Sequence, residues 1–143
     1  MKLTNYWLCV INENNWDVVK KQKVWGVSER NRRQLEGVKI GDLLIFYVKA
    51  SRIAGIYKAI SKMFESDVKI FSSAGFAAEI FPYRIKVEPK LVPKRSKEIK
   101  PLIPQLEFLK RKDKKWGTTI FGKAMKGISE EDYKLMESSL RER

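Results

Sequence analysis

Residues 37–60, GVKIGDLLIFYVKASRIAGIYKAI, contain the pattern that decides the fold of this chain. Residues 43–48 are an unbroken apolar run rich in β-forming side chains, which is too short for a typical helix and predicts a strand covered on both faces. A polar loop of hairpin length follows, and residues 53–60 predict a second strand. Gly55 in that strand indicates a bulge or a close backbone approach. Because a lone hairpin is unstable in water, further elements must cover it.

The segments on either side of the hairpin supply those elements. Apolar or alternating runs predict strands at residues 5–11, 68–71 and 83–87, and the alternation in the last of these places Arg84 on its exposed face. Residues 24–27 predict a short strand or an extended segment, and residues 118–121 are a further candidate for a brief strand. Short helices are predicted at residues 16–22, 29–35 and 102–109. Ser129 as an N-cap, with Ile128 and Tyr133 as a hydrophobic staple, predicts a final helix. The sequence therefore predicts one α+β domain over residues 1–143, a small β-barrel of five to six strands flanked by short helices.

Composition narrows the class of protein. A chain of 143 residues with 43% hydrophobic side chains can bury a core of its own. No apolar run approaches the roughly 20 residues that cross a bilayer, and the N-terminus lacks the apolar stretch of a signal peptide. We therefore expect a cytoplasmic protein that does not bind to membranes.

The residue types argue against most catalytic chemistry. The chain has no histidine, the commonest general base and metal ligand, and its single cysteine, Cys9, lies in an apolar run typical of a core. Paired-carboxylate signatures, Gly-rich phosphate loops and zinc spacings are missing from the sequence. We expect a non-enzymatic protein without cofactor or metal. The alternative is a small enzyme acting on a nucleotide or anionic small molecule, with Glu13, Glu29 or Asp42 as general acid or base. A third reading is a protein-binding adaptor that uses Trp116.

The charge balance points to a polyanionic partner. Thirty Lys and Arg against 17 Asp and Glu give a formal net charge of +13. Such an excess is typical of proteins that bind nucleic acid or an anionic membrane. The lysine-rich surface of a thermophile protein is the competing explanation, but ion-pair networks need matching acids, and here many cations have none. We expect nucleic acid, RNA or DNA, as the partner.

Residues 25–33, WGVSERNRR, combine an indole, a glycine and three arginines. An indole can stack on a base, and Gly26 lets a ligand approach the backbone. Arginines at the rim can hold phosphates bidentately. On this reading, replacing Trp25 by Ala weakens binding without unfolding the domain. If Trp25 is instead a core residue, the same change costs roughly 3–5 kcal/mol of stability.

In several segments the chain resembles the EVE domain, a member of the PUA-like group that also includes the YTH domains. The likeness extends over nearly the whole chain, and its most specific part is the Gly41-Asp42 block followed by the Gly55 strand. The segments that carry it are YWL at 6–8, VWGV at 24–27, Arg32 with Leu35, KIGDLLIFY at 39–47, AGI at 54–56 and YRIKV at 83–87.

The resemblance implies a barrel whose pocket accepts a single base, typically a modified one. By position, Trp25 matches the first tryptophan of the YTH aromatic cage, and Asn15 matches a residue that hydrogen-bonds the base there. Ser28 lies where the base edge would be read. In place of the further cage tryptophans the chain offers Phe71, Phe76 and Phe81. The predicted base-binding set is Trp25, Asn15, Gly26, Ser28 and Asn31. The predicted phosphate-binding set is Arg30, Arg32, Arg33, Lys112 and Lys115.

Overall fold

The computed structural model describes residues 4–48, 52–71, 81–106 and 125–142. Of the sequence predictions, Lys112, Lys115, Phe76, Trp116 and the strand at 118–121 lie outside these residues. The described elements, in chain order, are β1 (Tyr6–Ile11), α1 (Glu13–Gln22), β2 (Val24–Val27), α2 (Arg32–Glu36), β3 (Leu43–Val48), β4 (Arg52–Ala59), β5 (Phe64–Glu65), β6 (Tyr83–Leu91), β7 (Lys97–Glu98), β8 (Met125–Ile128) and α3 (Glu130–Arg141). Two 3₁₀ helices span Glu29–Asn31 and Lys100–Gln105.

A single mixed sheet curls into a half-barrel and organises the domain. Its strand order is β2-β6-β4-β3-β1-β8, with β5 added to β6 and β7 added to β4. β1 and β3 run parallel, and the other described pairs are antiparallel. Six of the described strands have at least four residues. The predicted α+β class and the PUA-like sheet with short flanking helices are confirmed.

The β3–β4 hairpin lies at the centre of this sheet, as the sequence predicts. All six residues of β3 are buried. Alternate β3 side chains enter two apolar clusters, so that Phe46 packs in the cluster of Trp16 and Trp25, and Tyr47 packs in the cluster of Tyr133. This two-sided cover explains why the strand is an unbroken apolar run, since neither face of it meets water.

Gly55 meets both requirements that the sequence suggested for it. The register between β3 and β4 shifts after Phe46, opposite Gly55, which is the expected bulge. A Cβ atom at position 55 would also lie 3.0 Å from Cη2 of Trp16 and 3.3 Å from the carbonyl oxygen of Leu91. The glycine therefore lets the indole of Trp16 pack directly on the strand.

Local capping signals set the ends of the helices. Asn12 is the N-cap of α1, and its Oδ1 accepts a hydrogen bond from the backbone N–H of Asn15 at 2.7 Å. The helix therefore begins three residues earlier than predicted. Ser129 caps α3 by accepting from the Asp132 N–H at 3.1 Å, as predicted. The predicted helix at 29–35 is divided into a 3₁₀ turn and α2. The short helix and turn predicted at 102–109 corresponds in the described residues to the 3₁₀ helix Lys100–Gln105.

Three sequence predictions about strands need correction. Residues 68–71 are not a strand, and the carbonyl of Val68 accepts a hydrogen bond from the Arg84 guanidinium. The sequence did not reveal β5, β7 and β8. Arg84, which alternation places on the exposed face of β6, is 3% exposed.

Among the described residues, no helix combines the length and apolar content that crossing a bilayer requires.

Candidate functional site

Trp25, the centre of the predicted site, lies inside the domain. Its side chain is 3% exposed, and its ring meets the Phe46 ring edge-on, with centroids 5.4 Å apart. A ring this buried does not line an open cavity, so the structure corrects that expectation. The cause is tertiary: β2 pairs with β6 and places the indole over the central strand β3.

The indole N–H of Trp25 is buried and meets no hydrogen-bond acceptor among the residues that the structure describes. Trp7 shows the usual arrangement, since its Nε1 donates to Oδ2 of Asp42 at 3.1 Å. In the described part of the chain, the only other buried side-chain polar atom without a partner is Oη of Tyr47. Leaving a buried donor unpaired costs about 1–3 kcal/mol, so such a group indicates a missing partner.

Two of the phenylalanines expected around the pocket lie beside β2. A Cβ atom on Gly26 would come within 2.7 Å of Cε2 of Phe71 and 3.1 Å of the Phe81 carbonyl oxygen. The two phenylalanine rings meet edge-on at 6.1 Å. Arg84 fixes this arrangement: its guanidinium carbon lies 5.5 Å from the Phe71 centroid, and it donates to the carbonyls of Phe81 and Val68. Burial lowers the pKa of Arg84 from its ordinary value.

The polar members of the base-binding set lie on elements next to Trp25. Asn15 is 8% exposed on α1, which packs against β2. Ser28 and Asn31 are half-buried, and the Ser28 carbonyl accepts from the Asn31 N–H at 3.0 Å. The sequence order thus places one amide before the indole and a short polar turn after it.

The three arginines after Trp25 differ in how free their charge is. Arg30 and Arg33 are exposed. Arg32 is engaged by Glu36, at 2.8 Å, and by Glu29, at 3.9 Å. Its guanidinium carbon also lies 5.0 Å from the centroid of the Tyr83 ring. The hydrogen bond to Glu36 raises the pKa of Arg32.

The carboxylates of the enzymatic alternative have structural partners. Asp42 is 1% exposed and accepts hydrogen bonds from Nε1 of Trp7 and from the backbone N–H groups of Asn5 and Lys39. Glu13 pairs with Arg52 at 3.0 Å. Burial raises the pKa of the Cys9 thiol well above its usual value. In the portion that the structure describes, no three metal-ligating residues cluster. No observation therefore favours catalysis.

A basic cleft that the sequence did not reveal lies beside α1. We name it the α1 cleft; it has a volume of about 520 Å³ and lies between α1, the hairpin strands and the segment 92–96. Its charged lining residues are Glu13, Lys20, Arg52, Lys94 and Arg95. The one local signal for it is the Pro-Lys-Arg-Ser stretch at 93–96, which is too short to indicate a site.

Comparison with known proteins identifies the family. A sequence model of the EVE domain matches residues 5–139. The chain belongs to the EVE domain family. A UPF0310 protein of Pyrococcus abyssi is 43% identical to this EVE domain over 145 residues, covering 95% of this chain and 99% of the relative.

Solved structures share the fold of this EVE domain at low sequence identity. A hypothetical protein from Leishmania major has a TM-score of 0.66 at 14% identity, covering 96% of this chain and 95% of that one. The YTH domain of a Zygosaccharomyces rouxii protein, solved in complex with N6-methyladenosine RNA, has a TM-score of 0.63 at 14% identity and covers 96% of this chain and 88% of its own. These similarities establish the PUA-like fold.

Proposed function

We propose that this EVE domain is a non-enzymatic module that binds RNA or DNA and holds one base, in a modified form, beside Trp25. The observation that carries the proposal is the buried indole N–H of Trp25, which has no acceptor within the described ranges, in a domain with a formal net charge of +13. A base edge offers acceptors to such a donor, and the indole face offers a stacking surface.

Two independent findings support nucleic acid as the partner. One is the charge excess, which favours a polyanion. The other is the fold, which this domain shares with a YTH domain that was solved with N6-methyladenosine RNA. The relative from Pyrococcus also fits the thermophile composition, but ion pairing leaves much of the positive charge unmatched.

The burial of Trp25 adds a condition to the proposal. A base reaches the indole only in a conformation in which the side chains over the ring have moved. The measured affinity is then the intrinsic affinity multiplied by the fraction of molecules in that open conformation. We propose Asn15, Gly26, Ser28 and Asn31 as the other contacts of the base in that conformation.

The rim of the proposed site would hold the phosphates on either side of the base. Arg30 and Arg33 are exposed and available for this role. Arg32 would have to leave its two carboxylates to contribute. Lys112 and Lys115 complete the proposed set from the sequence.

The test compares binding of matched oligonucleotides with and without N6-methyladenine, as RNA and as DNA, at two salt concentrations. Trp25→Phe removes the indole N–H but keeps an aromatic ring on Phe46. We expect it to weaken binding of the preferred oligonucleotide by about 2- to 12-fold, the equivalent of about 0.5–1.5 kcal/mol for one hydrogen bond. Trp7→Phe, which removes an indole N–H outside the proposed site, is the matched control.

Two results would count against the proposal. If the wild-type protein binds none of the oligonucleotides at low salt, the nucleic-acid function is wrong. If it binds them but Trp25→Phe keeps the full wild-type affinity, the base site lies elsewhere.

A further inference from the structure

The α1 cleft is open, concave and positively charged. Four cationic side chains and one acidic side chain, that of Glu13, line it. The cations come from three places in the chain: Lys20 from α1, Arg52 from β4, and Lys94 and Arg95 from the segment after β6. The fold has therefore gathered charge that no short stretch of sequence contains.

The cations in the cleft differ in how much of their charge is already matched. Arg52 donates from Nη2 to Glu13 at 3.0 Å and from Nη1 to Oγ of Ser96 at 3.1 Å. Lys20 lies 3.3 Å from Asp17. Lys94 and Arg95 are exposed, and neither makes an ion pair within the described ranges. These last two side chains give the cleft its unmatched charge.

The cleft adjoins the proposed base site through shared packing. Trp16 contributes to the cleft wall, and its ring centroid is 5.4 Å from that of Phe46. The ring centroid of Trp25 lies at the same distance from that of Phe46. The centroids of the Trp16 and Trp25 rings are therefore separated by at most twice that distance. α1 also carries Asn15, from the base-binding set, between Glu13 and Trp16 of the cleft.

We infer that the α1 cleft binds the sugar-phosphate backbone of the strand whose base occupies the proposed site, with Lys94 and Arg95 neutralising its phosphates. This inference rests on the proposed nucleic-acid function. A charged groove that follows the backbone beside aromatic side chains is the arrangement by which proteins hold single strands. The concave shape fits a strand better than a flat bilayer surface.

The test measures how the affinity for a single-stranded oligonucleotide depends on salt. Each phosphate neutralised contributes about 0.7 to the slope of log affinity against log salt. We expect Lys94→Ala with Arg95→Ala to lower the slope by about 1.4 and to leave the preference for the modified base unchanged. The matched control is Lys39→Ala with Lys62→Ala, which removes the same charge from two exposed lysines at another cleft. We expect the slope of this control to stay at the wild-type value.

The outcomes separate the two proposals. If the wild-type protein binds the oligonucleotide but the Lys94 and Arg95 double variant keeps the full slope, or the control loses as much, the inference about the cleft is wrong and the proposed function stands. If the wild-type protein binds no oligonucleotide, both are wrong. If the double variant loses binding to anionic lipid vesicles but keeps the full slope for the oligonucleotide, the cleft belongs to a lipid surface and the inference is overturned.

Discussion

Individual cations in two positively charged regions of this EVE domain differ in whether their charge is already matched. Arg32, in the arginine-rich segment after Trp25, is held by Glu29 and Glu36 and lies over Tyr83. In the α1 cleft, Lys94 and Arg95 are exposed and make no ion pair with the rest of the described chain. The number of arginines in a segment is therefore an incomplete guide to usable charge, because nearby acids match the charge of Arg32 while Arg30 and Arg33 stay exposed.

The two indoles that pack on Phe46 show a related contrast. Trp16 contributes to the wall of an open cleft, whereas Trp25 is enclosed and has an unsatisfied N–H. If the α1 cleft and the site at Trp25 contact one nucleic-acid strand, the cleft binds it in the present conformation. The site at Trp25 binds it only after the side chains over the indole have moved. The predictions below test this contrast, beginning with the largest expected effect.

Because Trp25 is enclosed, we expect Trp25→Ala to lower the free energy of unfolding of the domain. Deleting a buried aromatic from a packed core costs about 3–5 kcal/mol, since the cavity is only partly refilled. Equilibrium denaturation measures the loss, and Trp25→Phe should lose less. A loss below about 1 kcal/mol would mean that the indole is not a core residue. The structure therefore does not support the expectation that Trp25→Ala leaves the domain intact. Trp25→Phe is the better variant for binding studies, because it keeps an aromatic ring in the core.

Gly26 should be intolerant of a methyl group. In Gly26→Ala the new Cβ lies 2.7 Å from Phe71 and 3.1 Å from the Phe81 carbonyl, so side chain or backbone must shift. We expect a loss of about 1–3 kcal/mol by thermal or chemical denaturation. Gly127→Ala is the control, because its nearest contact is 3.8 Å. Equal effects of the two changes would contradict the close packing of β2 against Phe71.

Arg32→Ala should have a smaller effect on the salt dependence of oligonucleotide binding than Arg95→Ala. The Arg32 charge is already shared with two carboxylates, whereas that of Arg95 is unmatched within the described chain. Because exposed ion pairs are worth little, we also expect a stability loss below about 1 kcal/mol. If Arg32→Ala lowers the slope of log affinity against log salt more than Arg95→Ala does, Arg32 and not Arg95 contributes the larger unmatched charge.

Glu137 is a carboxylate that lies close to two cations, Lys90 and Arg141. Burial acts to raise its pKa, but the hydrogen bond from Tyr133 and the charges of Lys90 and Arg141 bring the pKa below the ordinary value. The stabilisation is therefore complete above about pH 4.3, the ordinary Glu value, and is lost as the pH falls through the lowered pKa.

We expect Glu137→Gln to lower the melting temperature at pH 7 and to converge with the wild type as the pH falls through the lowered pKa of Glu137. Melting curves from pH 7 into the acid range measure the effect. Glu131→Gln, at an exposed position of α3, is the control. A difference between Glu137→Gln and wild type that stays constant with pH would show that the carboxylate charge is not responsible.

The sequence predicted those parts of the fold whose signals are local. The β3–β4 hairpin is encoded by one apolar run and one glycine, and the start of α3 by Ser129 and its neighbours. The burial of Trp25 depends on Phe46, which is distant in the chain, so no local pattern contains it. Arg84 is a second example. The alternating pattern of β6 predicts that its side chain is exposed, but the side chain is buried, where it contacts backbone carbonyls and the Phe71 ring.

The candidate site was predictable in its residue types but not in its geometry. Asn15 and Trp25 do lie on adjoining elements. The α1 cleft could not be predicted from the sequence, because Lys20 has a sufficient local explanation at the C-terminal end of a helix, where positive charge is favoured. Its partners Arg52 and Lys94 are brought there only by the pairing of β4 with the end of β6.

The position of β1 within the sheet has a consequence for how the chain is made. β1 pairs on one side with β3 and on the other with β8, so that Tyr6 lies opposite Ile128. A nascent chain on the ribosome therefore exposes an unpaired edge of β1 until residues 125–128 have emerged. Because open edges template association between chains, we expect truncations that end before β8 to aggregate rather than to fold.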